Sequence, residues 1–285
     1  MSSYYGRTRS WSQLGLALSS LAAGILVFAS GGYDSIFLFS TVPYAINFFL
    51  ILSYPRDLDN KSGTTNKGKR EKLKEVAVGT YRALSDRKVL QIINLTALHT
   101  AYLKAIKDYI QPVLVALVIT LPLFKQYNTS QRSALLIGVV YFLIYVLTSI
   151  ASASAGRIKP GVGLFIPMVT LIAGLVAGAA GGGMLKAGFP LLTVFFFLVV
   201  HLVENLRKPL MTGYLSEKVD STILTSVLSV QSQVKTIITA LLALIFGFLA
   251  EKRGVGEALF YVSAGLVFFS ILPLFPGVGK RRARK

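Results

Sequence analysis

The densest group of polar side chains in this sequence lies inside an otherwise apolar stretch. It comprises Lys104, Lys107, Asp108, Tyr109 and Gln111. A charge at the centre of a bilayer costs at least ~2.5–3.5 kcal/mol, so it normally faces an interior cavity and has a partner. The group therefore predicts a polar wall that binds a polar or anionic solute or a coupling proton.

Lys104 and Asp108 are four residues apart, which places them on one face of a helix and lets them form an ion pair. An alternative interpretation places the same residues at the cytoplasmic interface of a membrane, where lysine side chains extend toward water. The sequence leaves both interpretations open.

Two further groups have helical spacing. His201, Glu204 and Asn205 follow an i, i+3, i+4 pattern, and a histidine–glutamate pair can relay protons because histidine titrates near neutral pH. The alternative role for this group is hydrogen bonding to a neighbouring helix. Gln231 and Lys235 share a second face, which is interpreted either as a cavity wall or as a solvated helix entrance.

Enzyme chemistry has little support in the sequence. It contains no G-x-S-x-G, no H-E-x-x-H and no phosphate-binding loop, so we predict no catalytic residues and no cofactor. The absence of cysteine excludes disulfides and thiol catalysis, and two histidines cannot build a histidine-rich metal site. A net charge of +18 is compatible with nucleic acid binding. However, nearly all the charges lie between or beyond the apolar blocks, so no nucleic acid partner is expected.

The elements that must position these residues are long apolar helices. The chain is 53% hydrophobic and only 15% charged, with a mean hydropathy of +0.62. A helix of roughly 20 apolar residues crosses a bilayer with its backbone satisfied. Blocks of that length occupy roughly 14–31, 35–54, 100–124, 134–155, 162–181, 189–206, 223–250 and 257–275. The sequence thus predicts an all-α membrane protein with about eight transmembrane helices.

Basic residues predict how these helices are oriented. Most of the 30 lysines and arginines fall in alternate connecting segments, which include both termini and residues 56–88. The positive-inside rule places these segments in the cytoplasm, in a multi-pass protein of the inner or plasma membrane. Within the basic loop, Glu71–Leu84 has the spacing of an amphipathic helix lying on the membrane surface. The predicted organisation is a hairpin at 1–55, this loop at 56–88, a six-helix bundle at 89–279 and a basic tail at 280–285.

Small residues indicate one close helix contact. Gly174, Ala177, Gly178 and Gly181 share a face that favours near approach of another helix.

An internal repeat is the strongest sign of higher organisation. Gly24, Gly31 and Phe37 recur with identical spacing as Gly247, Gly254 and Phe260, and each set spans the outer turn of a predicted hairpin. Transporters are often built from such repeats.

Those hairpins also resemble the major facilitator superfamily. Gly247–Phe260, preceded by Thr225–Gln233 and by Arg207-Lys208-Pro209, is similar to the end of its tenth helix and to its eleventh and twelfth helices. Gly24–Phe37 resembles the fifth and sixth helices. The chain is thus similar to the fifth to twelfth of twelve spans, with an incomplete N-terminal half.

The resemblance implies secondary active transport of a small solute by alternating access, coupled to a proton or to the substrate gradient. The expected partners are that solute and the lipid bilayer. Two alternatives stay open: a truncated, transport-incompetent fragment of such a transporter, and a membrane-embedded interaction protein.

Overall fold

The computed structural model describes residues 2–55, 69–120, 126–158 and 165–271, and within these ranges all the regular secondary structure is helical. The basic tail 280–285 and most of the polar part of the 56–88 loop lie outside them. The ten α-helices are α1 Ser2–Ser30, α2 Asp34–Leu52, α3 Lys69–Ser85, α4 Arg87–Ile106, α5 Ile110–Thr120, α6 Thr129–Ser154, α7 Phe165–Lys186, α8 Pro190–Lys218, α9 Ser221–Arg253 and α10 Val255–Ile271. The predicted all-α class is confirmed.

Six of these helices are long and apolar enough to cross a membrane: α1, α2, α6, α7, α8 and α9. The most apolar windows in them have mean hydropathies of 1.5 to 2.4. Helix α10 is apolar but has 17 residues. The chain therefore has the character of a multi-pass membrane protein.

The predicted third span is interrupted. Helix α4 ends at Ile106, a 3-10 turn follows at Lys107–Tyr109, and α5 begins at Ile110. Pro112 explains the break, because proline has no N–H to donate to the carbonyl four residues earlier and its ring clashes with that carbonyl. The local helical register around Asp108 is consequently lost.

Helix α1 packs along α6 through small and polar side chains. On α1 the buried positions are Gly6, Gln13, Ala17, Gly24 and Val27. Gly24 and Gly138 bring the two backbones together, since a Cβ added to Gly138 would lie 2.9 Å from the Gly24 Cα. Thr148 Oγ1 donates to Gln13 Oε1 at 3.0 Å, and a second polar contact joins Ser10 and Ser149 at 2.7 Å. Such an interface suits a membrane, where small residues and interhelical hydrogen bonds hold helices together.

The predicted small-residue face of α7 lies against α4 and α10. His99 fills the space beside Gly174, and the Tyr102 hydroxyl fills that beside Gly178. Tyr102 Oη also hydrogen-bonds Ser263 Oγ of α10 at 2.6 Å. The close packing predicted for this face is therefore confirmed.

Two helices are exposed within the described structure. Helix α2 has no buried residue, and α9 buries only Leu224, Val227, Leu242 and Phe246 along its 33 residues. The turns that follow α1 and α9 each contain a glycine with a positive φ, 81° at Gly31 and 86° at Gly254. The sequence repeat pairs Gly31 with Gly254.

Candidate functional site

A cavity of about 510 Å³ lies between α1, the broken helix α4–α5, α6 and α8. Small α1 and α6 residues, including Gly24 and Gly138, form one side of it. Its polar lining is Ser20, Tyr33, Lys107, Asp108, Gln111, Tyr141, Tyr145 and His201. Four of the nine residues predicted to line a pathway thus meet at one cavity.

The helix break presents Lys107 and Asp108 to this cavity. The Lys107 Nζ lies 3.7 Å from Asp108 Oδ1, and both side chains stay largely exposed, at 54% and 73%. The sequence-based pairing of Lys104 with Asp108 is not what the structure shows. The 3-10 turn rotates Asp108 away from the position that an unbroken helix would give it, and Lys107 becomes its neighbour.

Tyr109 and His201 have different surroundings. The Tyr109 ring packs on Phe246 of α9 with a centroid distance of 4.2 Å, and it is not among the cavity residues. His201 lines the cavity while its Nδ1 donates to the Phe197 carbonyl at 2.9 Å. The predicted relay partner of His201, Glu204, is bonded elsewhere.

Glu204 belongs to a buried polar cluster one turn further along α8. His99 Nδ1 donates to Glu204 Oε2 at 2.7 Å, and Thr100 Oγ1 donates to Glu204 Oε1 at 2.7 Å. Since a carboxylate can only accept, the hydrogen bond fixes the proton of a neutral His99 on Nδ1. The other ring nitrogen, Nε2, is buried beside Gly174 and has no hydrogen-bond partner among the described residues.

Arg207 anchors the same region to three helices. It is 2% exposed, and its guanidinium donates to the Leu95 carbonyl at 3.0 Å, to the Pro167 carbonyl and to Thr170 Oγ1. A buried guanidinium surrounded by acceptors in this way joins α4, α7 and α8 rigidly.

Asn205 connects α8 to α1 and α6. Arg9 Nε donates to Asn205 Oδ1 at 2.9 Å, and Ser152 Oγ donates to the Asn205 carbonyl at 3.0 Å. That carbonyl needs a donor from outside the helix, because residue 209, four positions later, is a proline.

The remaining predicted residues lie away from the cavity. Lys104 is exposed on α4 and Gln231 is half-buried on α9. Lys235 Nζ donates to Ser232 Oγ at 3.1 Å and lies within electrostatic range of Lys104 and Glu204.

Sequence reasoning missed His99, Thr100 and Arg9 as members of a site. The helical spacing of Val89, Ile92 and Thr96 indicates a buried face on α4, and His99 and Thr100 continue it. That spacing predicts a histidine and a threonine in the core.

No family model, curated protein or solved structure matches this chain.

Proposed function

We propose that this chain carries a small polar solute across a membrane by alternating access, as a transporter of the major facilitator type with about eight spans. The cavity carries the proposal: about 510 Å³ of space whose polar lining is a lysine, an aspartate, a glutamine, a serine, three tyrosines and a histidine, between apolar helices of spanning length. Charged groups at such a position mark solute or ion pathways.

The broken helix supports the same function. Solute sites in secondary transporters are typically formed by discontinuous helices, whose free backbone groups and helix ends face the solute. Here the break lies at Lys107–Tyr109, and two of its three side chains line the cavity. The matched positive-φ glycines Gly31 and Gly254 add support for two related hairpins, which is how such transporters are built.

The His99–Glu204 pair is the candidate carrier of a coupling proton. It combines a buried imidazole with a buried carboxylate 2.7 Å away. The pair lies one turn from His201, which lines the cavity. Protonation of the pair would change its net charge without any nucleotide hydrolysis.

Reconstituted protein in liposomes tests the proposal. Currents or uptake would be recorded for a panel of sugars, amino acids, carboxylates and amines, and the solute that gives a signal would be used with variants. Asp108→Asn and Gln111→Ala should each reduce transport about tenfold or more at unchanged folded yield, because both side chains line the cavity and Asp108 is exposed. Glu251→Gln, an exposed carboxylate on α9, is the matched control.

Absence of transport of every panel solute by folded protein, or equal transport by all these variants, would contradict the proposal.

A second candidate function is binding of further membrane helices, favoured by the exposure of α9. The repeat aligns the α1 residues Gly6, Ser10, Gln13 and Ala17 with four small or polar residues of α9 that are exposed, namely Ser229, Gln233, Thr236 and Ala240. Their α1 counterparts pack on α6, and small residues in a stripe favour such packing. Helix α2, without any buried residue, flanks α1.

Native mass spectrometry in mild detergent tests the second candidate. An assembly larger than the 30.9 kDa monomer should form and should dissociate in Ala240→Leu, whose side chain blocks close approach. Ala77→Leu on α3 is the control with the same change at an exposed alanine. A strictly monomeric wild type would exclude self-assembly through α9.

A further inference from the structure

Four cationic side chains from four different helices converge beside the buried cluster. They are Arg9 of α1, Lys104 of α4, Lys208 of α8 and Lys235 of α9. Lys208 lies within electrostatic range of the other three, and Lys235 lies within range of Lys104. These residues are far apart in sequence, so only the packing of the helices brings them together.

Hydrogen bonds hold two of the four cations in place. Arg9 Nε is held by Asn205 Oδ1 at 2.9 Å, one helical turn before Lys208 on α8. Lys235 Nζ is held by Ser232 Oγ at 3.1 Å. Lys208 is itself half-buried, which is unusual for a lysine that lacks a counter-charge.

The cluster is short of negative charge. Among the described residues, none of the four cations makes an ion pair with a carboxylate. The one carboxylate nearby, Glu204, already accepts from His99 and Thr100 at 2.7 Å with both its oxygens. Like charges that are gathered in a partly buried site repel one another, and a bound anion removes that repulsion.

We propose that these four cations form a binding site for a small soluble anion bearing carboxylate or phosphate oxygens, and that such anions are the solute class of this protein. This inference rests on the proposed transport function. Lys107 and Gln111 line the cavity one and two turns beyond Lys104 along the broken helix, which extends the basic wall toward it. Lys104 of the cation cluster and Lys107 of the cavity are thus connected through the same broken helix.

Calorimetric titration of the protein in a neutral detergent tests the site, with succinate as the anionic probe. Succinate should bind above a chloride control of equal ionic strength, and 1,4-diaminobutane, a cation of similar length, should not. Lys208→Gln and Lys235→Gln should each weaken succinate binding about tenfold, because each removes one positive charge next to the anion. Lys235→Arg keeps the charge and should keep binding within about twofold.

Lys252→Gln is the control variant, since this lysine is exposed on α9 and lies over the Phe248 ring, away from the cluster. Lys104 is exposed whereas Lys208 is half-buried, so Lys104→Gln, together with Lys235→Gln, carries the test if Lys208→Gln does not fold.

The inference is overturned if succinate and inorganic phosphate both fail to bind, if the glutamine variants bind as wild type does, or if only phosphatidylglycerol in mixed micelles binds. Its failure and that of the transport proposal are distinguishable. Succinate binding without flux of any solute would remove the transport proposal and keep the anion site. Flux of a neutral or cationic solute that succinate leaves unchanged would keep transport and remove the anion site.

Discussion

At the scale of single residues, His99 and Glu204 form the most deeply buried ionisable pair of the described structure, with side chains 0% and 4% exposed. Replacing Glu204 alone by leucine should lower the free energy of unfolding by about 3–5 kcal/mol, the usual cost of removing one partner from a buried pair. The double change His99→Leu with Glu204→Leu should recover most of that loss. Thr100 retains an acceptor in the Thr96 carbonyl at 3.0 Å, and Arg207 retains its three acceptors.

Unfolding in detergent by heat or by a denaturing detergent measures both variants beside wild type. Equal stability of the single variant and wild type would show that this pair contributes nothing to folding.

The sequence identified one half of this pair. The helical spacing of His201 and Glu204 predicted either a relay between them or hydrogen bonds to a neighbouring helix, and the structure shows Glu204 hydrogen-bonded to α4. Its real partner lies 105 residues away on α4. Periodicity describes one helix at a time, so a contact between two helices appears only once their packing is known.

At the scale of elements, Pro209 of α8 has no N–H to donate to the Asn205 carbonyl, and the Ser152 hydroxyl of α6 donates to that carbonyl instead. Ser152→Ala should therefore destabilise the protein by about 1–3 kcal/mol, because the buried Asn205 carbonyl would lose its donor. Adding Pro209→Ala should reverse much of this loss, since alanine supplies an N–H to that carbonyl from within the helix.

The control for this cycle is Ser133→Ala, a buried serine on the same helix whose hydroxyl bonds Ser130 of its own turn. Pro209→Ala that lowers the stability of the Ser152→Ala protein further would rule out the compensation.

A second prediction at this scale concerns the face of α7. A Cβ at Gly174 would overlap the His99 ring, whereas a Cβ at Gly183 would meet only the Phe260 ring, at 3.9 Å. Gly174→Ala should cost about 1–3 kcal/mol through overpacking. Gly183→Ala should be neutral or should stabilise by up to about 1 kcal/mol, because alanine has the higher helix propensity.

The two melting temperatures, measured under the same conditions, decide the prediction. A Gly174→Ala protein as stable as the Gly183→Ala protein would mean that α4 and α7 can separate at no cost.

The break between α4 and α5 could be predicted from local sequence, because the loss of a helical hydrogen bond at Pro112 depends on no tertiary contact. The apolar run on either side nevertheless favoured one continuous span. The pairing of Lys104 with Asp108 was predicted from that continuity and failed with it.

At the scale of the whole molecule, the relative direction of α4 and α7 predicts the sidedness of the chain. His99 lies beside Gly174 and Tyr102 beside Gly178, so the two helices run parallel. Ser85, before α4, and Ala187, after α7, therefore lie at opposite ends of the bundle, separated by roughly 40 Å of helix. Single cysteines at these exposed positions of a cysteine-free chain should react with a membrane-impermeant maleimide from opposite sides.

Wild-type protein, which has no thiol, is the blank for this labelling. Labelling of both positions from the same side would mean that α4 to α7 do not cross the membrane together.

Composition alone predicted the helical class and the membrane character, because hydropathy and block length depend on no tertiary contact. Six helices meet the criteria for spanning by themselves, and α4, α5 and α10 do not. Their place in the bundle depends on packing against neighbours, as at Tyr102 and Ser263. The convergence of four cations, Arg9, Lys104, Lys208 and Lys235, could not be predicted from the sequence either, because residue spacing does not relate positions on separate helices.

The polar contacts that Ser10 and Gln13 of α1 make with α6 have a consequence for the synthesis of the protein. Gln13 finds its hydrogen-bond partner in Thr148, 135 residues later in the chain. At a translation rate of about 5–20 residues per second, α1 waits roughly 7–27 s for α6 to be made. During that interval Gln13 and Ser10 have no partner helix, and lipid cannot supply the missing hydrogen bonds. The nascent α1 therefore needs to stay in contact with the insertion machinery or an insertase until α6 has been synthesised.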